Sequence, residues 1–125
     1  MSNEKKEEIR DFIETCGYIT EETTDIFIDY SNHFLDGGKR NKVPLEDHSG
    51  DVVVLLESVF ADPSPPKTFK EACRITAKDG KIIIAIPIDE CMLFKTNVIK
   101  KFGKAVKGKK FLGETKNYYY YLLEH

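Results

Sequence analysis

Residues 73–87 read CRITAKDGKIIIAIP. An amphipathic segment carrying Arg74 runs into Lys78-Asp79-Gly80, and the chain passes at once into Ile82-Ile83-Ile84-Ala85-Ile86 before Pro87. This is the pattern of a helix that stops on a tight glycine turn, followed by a strand covered on both faces. Strands buried on both sides lack the polar alternation of half-exposed ones. Working outward, DVVVLLESVF (51–60) is a second continuous apolar run. Between the two, ADPSPP (61–66) breaks the chain, with Asp62 or Ser64 placed to cap a helix and prolines in its first turn. That helix, over 66–77, puts Phe69, Ala72, Cys73 and Thr76 on one side. Strand, helix and strand in this order predict that residues 81–88 lie parallel and adjacent to 51–58, with the helix across them.

The flanks extend the same architecture. Ile9, Phe12, Ile13 and Cys16 recur at helical spacing over 3–16, and Gly17 is placed to end that helix. TTDIFIDY (23–30) has strand composition, SNHFLDGGKRNK (31–42) is a loop turning at Gly37-Gly38, and VPLEDHSG (43–50) is kept short by Pro44. Downstream, a helix over about 90–107 places Phe94, Val98, Phe102 and Ala105 on one stripe and Lys100, Lys104 and Lys107 opposite. KFLGETKNYYYYLLE (110–124) gives one or two strands around Gly113 and Lys116-Asn117. The expected fold class is α/β, a mainly parallel sheet with helices on its faces and an antiparallel C-terminal strand. It is read as a single domain over residues 1–125.

Composition agrees. At 125 residues, 41% hydrophobic and 32% charged, the chain reads as one soluble globular domain. A net charge of −2 gives no global field toward nucleic acid. Charge is nonetheless uneven, with Lys95, Lys100, Lys101, Lys104, Lys107, Lys109 and Lys110 crowded into sixteen residues. No run approaches the ~18–20 apolar residues of a membrane span, and MSNEKKEE has no signal-peptide core. Cys16, Cys73 and Cys91 show no CxxC spacing and read as reduced thiols, so a cytoplasmic protein is expected. Cys73 is expected in the core. The closing Leu123-Glu124-His125 has the form of an expression-tag remnant, and His125 is given no role.

The run GDVVVLLESVFADPSPPKTFKEACRITAKDGKIIIAIP (50–87) resembles the second half of class I S-adenosylmethionine-dependent methyltransferases. In that family an Asp opens the fourth strand, as Asp51 does here. A helix ends in Arg, an aliphatic residue and a Lys-Pro-Gly-Gly-like turn, matched by Arg74-Ile75-Thr76-Ala77-Lys78-Asp79-Gly80. The fifth strand then closes on a Pro such as Pro87. VPLEDHSG resembles the segment before strand four, and the likeness covers about residues 43–88. The resemblance implies a cofactor held by a glycine-rich turn after the first strand and by an acid at the end of the second. This chain has no GxGxG. Asp29 is either that acid or part of a remnant first strand. Shortened domains of this type, such as the N-terminal domains of the anamorsin family, serve as docking modules beside a cysteine-rich tail. No such tail occurs in these residues, so that likeness concerns architecture alone.

Other signals are weaker. GKAVKGKK (103–110) has the spacing of a phosphate-binding loop, but it follows a helical pattern and Lys110 replaces the required hydroxyl residue. In NYYYY (117–121), Tyr118 and Tyr120 share one face and Tyr119 and Tyr121 the other, which suits core-plus-edge packing better than a stacking platform. His33 and His48 lack partners at metal-ligand spacing, so no metal is expected. Asp29, Glu57 and Asp89 end or follow strands, where open α/β sheets bind ligands. No catalytic residue stands out.

The leading expectation is a non-catalytic protein-interaction or scaffold module without a cofactor. It docks a protein partner, of acidic character, on Lys100, Lys104 and Lys107, with neither membrane nor nucleic acid involved. One alternative is a minimal methyltransferase holding S-adenosylmethionine through Asp29, Gly37, Gly38 and Glu57. Another is an unrelated small α/β binding domain.

Overall fold

The computed structural model describes residues 3–28, 35–36, 39–40, 45–56, 65–88, 100 and 102–125. Helix α1 (Asn3–Thr15) leads into strand β1 (Asp25–Ile28). Two short strands, β2 (Leu35–Asp36) and β3 (Lys39–Arg40), pair antiparallel with each other. Then come β4 (Gly50–Leu55), helix α2 (Pro65–Ile75) and β5 (Thr76–Pro87). A 3-10 turn (Gly103–Ala105), β6 (Gly108–Glu114) and β7 (Tyr118–Glu124) complete the chain.

The main sheet has the order β1-β4-β5-β7-β6. β1 runs parallel to β4, and β4 parallel to β5, with Val53 opposite Ile82 and Leu55 opposite Ile84. β7 is antiparallel to both neighbours. The βαβ unit expected from residues 73–87 is therefore present, with its strands adjacent and parallel.

The two apolar runs are continuous because each of their faces has a helix on it. Val53, Leu55, Ile82, Ile84 and Ile86 are buried with Phe69, Ala72 and Ile75 of α2. Val52, Val54, Ile83 and Ala85 are buried on the other face with Ile9 and Ile13 of α1. The alternation follows from the two-residue period of a strand. Tyr118 and Tyr120 join the α1 side, while Tyr121 packs against the α2 side, the split expected for this tyrosine run. Phe12 stacks on Tyr120 with centroids 4.0 Å apart, and Gly113, at φ 144°, lies beneath the Phe12 ring. A Cβ there would come within 3.0 Å of that ring.

Three features differ from expectation. Helix α2 ends at Ile75 rather than residue 77, because its last carbonyls find partners early. The Thr76 hydroxyl donates to Ala72 O at 2.5 Å, and the His48 N–H donates to Arg74 O at 2.9 Å. Thr76 then pairs with Gly50, and the ladder resumes only at Val52 with Lys81, so Lys78-Asp79-Gly80 falls in the intervening irregularity. Close quarters explain Gly80: a Cβ would meet Asp51 O at 3.0 Å and the Thr76 methyl at 2.7 Å.

Secondly, the helix expected to run to residue 107 does not do so. Gly103 adopts φ 81°, a left-handed conformation that ends helices, and starts the 3-10 turn. Lys104 therefore lies in that turn and Lys107 in the link to β6, not on a helix face with Lys100. Phe102 is buried against Phe69, as the apolar stripe implied; Phe94 and Val98 lie outside the described residues. Thirdly, Cys73 is half-buried at the margin of the α2 core, where burial pushes its thiol up to about 11.

Candidate functional site

The C-terminal ends of β1, β4 and β5 emerge on one edge, where open α/β sheets hold ligands. Ile28 ends β1 beside the end of β4, and the Leu56 N–H donates to Ile28 O at 3.0 Å. Beyond β5, the Ile88 N–H donates to Asn117 O at 2.9 Å, which ties this edge to the β6–β7 turn. Asp29, Glu57 and Asp89 follow Ile28, Leu56 and Ile88 directly in sequence. All three, with Gly37 and Gly38, lie outside the described residues, as does His33. The structure thus brings together the chain positions that precede Asp29 and Glu57.

Beside this edge stands a polar cluster that sequence reading missed. Glu8 of α1 accepts the Asn117 backbone N–H at 2.9 Å, the Asn117 side-chain amide at 2.6 Å and the Thr115 hydroxyl. Thr115 is also 3.0 Å from the Tyr120 hydroxyl. Burial pushes the Glu8 carboxyl up, but these donors and nearby Lys116 outweigh it and hold it below its ordinary value. A carboxylate held by this many donors is a poor proton acceptor, so Glu8 ties α1 to the β6–β7 turn rather than acting as a base. A separation of 109 residues hides the pairing from any local pattern.

S-adenosylmethionine requires acceptors for its ribose hydroxyls and ammonium group and donors for its carboxylate. The polar groups described along this rim, at Leu56, Ile88, Thr115 and Asn117, already bind protein partners. The residues expected to hold the cofactor, Asp29, Gly37, Gly38 and Glu57, lie outside the described residues.

At the opposite edge, Arg74 joins two segments of the chain. Its guanidinium binds Glu71 at 2.8 Å, Asp47 at 2.7 Å and Leu45 O at 2.9 Å. It therefore fastens the segment before β4 to the end of α2. These hydrogen bonds raise the Arg74 pKa further, against burial. His48, at φ 58°, places Nδ1 3.0 Å from Thr76 O. Asp51 accepts the Thr24 N–H at 2.8 Å and returns its own N–H to Thr24 O at 2.8 Å, which sets β1 against β4. These family-like residues have structural work here. No cluster of metal-binding side chains occurs among the described residues. Nor is any described helix long and apolar enough to cross a membrane.

Of the three lysines expected to form a docking face, Lys100 and Lys107 line one open cavity of about 350 Å³, together with Gly103, Val106, Gly108 and Lys109. Lys104 is exposed but is not part of the lining. GKAVKGKK runs directly into a strand, β6, from Gly108, where a phosphate-binding loop would need a helix.

A shortened α/β sheet with this strand order and helices on both faces defines a class I methyltransferase-like fold. The comparisons agree. The methyltransferase domain family model matches residues 25–84, beginning at the first residue of β1. A SAM-dependent methyltransferase of Thermotoga maritima, described as a possible histamine N-methyltransferase, superposes with a TM-score of 0.54 at 14% identity, covering 90% of this chain and 86% of its own. A SAM-dependent methyltransferase of Aquifex aeolicus gives 0.51 at 15% identity, covering 66% of this chain. This chain spans 50% of the length of that protein. No curated protein matches in sequence. The reading as an unrelated small α/β domain is set aside.

Proposed function

We propose that this methyltransferase-like domain is a non-catalytic protein-interaction or scaffold module. The observation that carries the reading is the link between β1 and β4. These strands are parallel neighbours, yet residues 29–49 between them contain no GxGxG, and the described parts of the link are the β2–β3 pair and residues 45–49. Glycine lets backbone approach a bound adenosyl group closely, and without that turn the cofactor loses the donors that would orient it. At the rim the Leu56 and Ile88 N–H groups and the Asn117 amides are already bonded within the protein.

The minimal-methyltransferase reading draws support from the family model, whose match covers the cofactor side of the sheet from residue 25. It would hold S-adenosylmethionine through Asp29, Gly37, Gly38 and Glu57. Titration of the chain with S-adenosylmethionine, followed by calorimetry and amide chemical shifts, separates the two. The scaffold reading expects no heat and no shifts at millimolar concentration. Micromolar binding with shifts at those four residues overturns it. The domain is further read as cytoplasmic, from its reduced thiols.

A further inference from the structure

We propose that the face formed by Lys100, Lys107, Lys109 and Phe111 binds an extended acidic peptide segment carrying one apolar side chain. The inference rests on the protein-interaction reading above and supplies the chemistry of its partner.

The face has two halves. In the cationic half, Lys100, Lys107 and Lys109 surround the cavity of about 350 Å³ at the entry to β6. All three are exposed, and none forms an ion pair with another described residue. In the aromatic half, Phe111 is 49% exposed, the more exposed of the two large hydrophobic residues on the surface of the described residues. Its ring lies 5.3 Å from Tyr121 and 6.3 Å from Tyr119. Lys109 and Phe111 are two residues apart on one strand and so project to the same side. Opposite them stand Leu123 and Tyr121, which pack on the α2 side of the sheet. The Lys109 ammonium lies 5.9 Å from the Tyr121 ring and joins the halves. β6 ends the sheet order, so the face is bordered by a strand edge that no described strand covers.

The choice of occupant follows from charge and donor geometry. Three separate ammonium groups are point charges that suit carboxylates spaced along a chain. A compact phosphate is favoured by convergent backbone N–H groups or an Arg fork. Here two of the cavity's backbone donors are engaged: Lys107 N–H binds Glu124 O at 2.8 Å, and Val106 N–H binds Gly103 O at 3.4 Å. Single-stranded nucleic acid is favoured by open, parallel ring faces. Phe111 instead tilts 53° and 58° from its tyrosine neighbours. A partly exposed ring beside a cationic rim matches an interface with an apolar anchor and a polar border.

The test uses the full chain and a fluorescein-labelled peptide of Asp and Glu residues with a central Leu, read by anisotropy and stopped flow. Saturable binding that weakens with added salt is expected. The K100E/K107E/K109E variant should bind about tenfold more weakly or worse, mainly through slower association. Phe111→Ser should raise the dissociation rate about threefold or more. All four side chains are exposed, so circular dichroism should verify an intact fold in each variant. The inference is overturned by any of these: no binding, equal binding of the matching Asn/Gln peptide, unchanged binding to the charge-reversed variant, tighter binding of poly(U), displacement of the peptide by inorganic phosphate at equal ionic strength, or a lysine-dependent dimer in sedimentation. A parallel titration with S-adenosylmethionine keeps the two failures apart. Loss of peptide binding with no cofactor binding removes only this face, whereas micromolar cofactor binding removes the interaction reading itself.

Discussion

Phe69→Ala tests the packing that makes the βαβ unit a unit. Phe69 is fully buried between α2 and the sheet, within 5.2 Å of the Phe102 ring centroid. Complete burial of such a ring contributes about 1.5–3 kcal/mol by transfer alone, and a ring pair adds about 0.5–1.5 kcal/mol. Truncation also leaves a cavity that rigid neighbours fill only in part. The expected loss is about 3–5 kcal/mol. With a urea m-value of about 2 kcal/mol/M, the midpoint should fall by about 1.5–2.5 M. Lys70, exposed and next along the same helix, is the control, and Lys70→Ala should change stability by no more than about 0.5 kcal/mol. A Phe69→Ala loss below about 1 kcal/mol would mean that α2 does not seal this face, and the βαβ reasoning would fail with it.

Two further perturbations probe the attachment of α1. Glu8 has a depressed pKa in the fold, so its contribution is full above its unfolded value, near 4.5, and is lost as pH falls through the lower folded value. The urea stability difference between wild type and Glu8→Gln should be largest at neutral pH and shrink in acid; a pH-independent difference would refute the role of the carboxylate. Gly113→Ala combines φ 144° with a 3.0 Å approach to Phe12. It should cost about 1–3 kcal/mol in the same assay, and a neutral result would contradict the α1–β6 contact.

The parts of the fold legible in sequence were those with a short period. Val52 to Leu55 and Ile82 to Ile86 announce strands covered on both faces, and Gly80 marks the turn before the second. Phe69 and Ala72 then follow from helical spacing, whereas Ile75, also buried against the sheet, does not. The expectation of a helix over about 90–107 runs too far because an apolar stripe says nothing of backbone conformation. Gly103 at φ 81° is incompatible with helix through 103–107, and only its identity as glycine hints at that. Lys109 was missed at the cavity because β6, not helical spacing, sets its place beside Lys107. The Glu8 cluster and the link from Arg74 to Asp47 join distant segments and leave no local trace; the (i, i+3) pair Glu71–Arg74 was the single visible hint.

The central claim is that a methyltransferase-like sheet can persist without the cofactor turn. Titration with S-adenosylmethionine tests this most directly, with amide shifts read across the chain. The account predicts unchanged spectra up to millimolar ligand. Saturable shifts at micromolar ligand, centred on Asp29, Gly37, Gly38 and Glu57, would contradict it and make the domain a minimal methyltransferase.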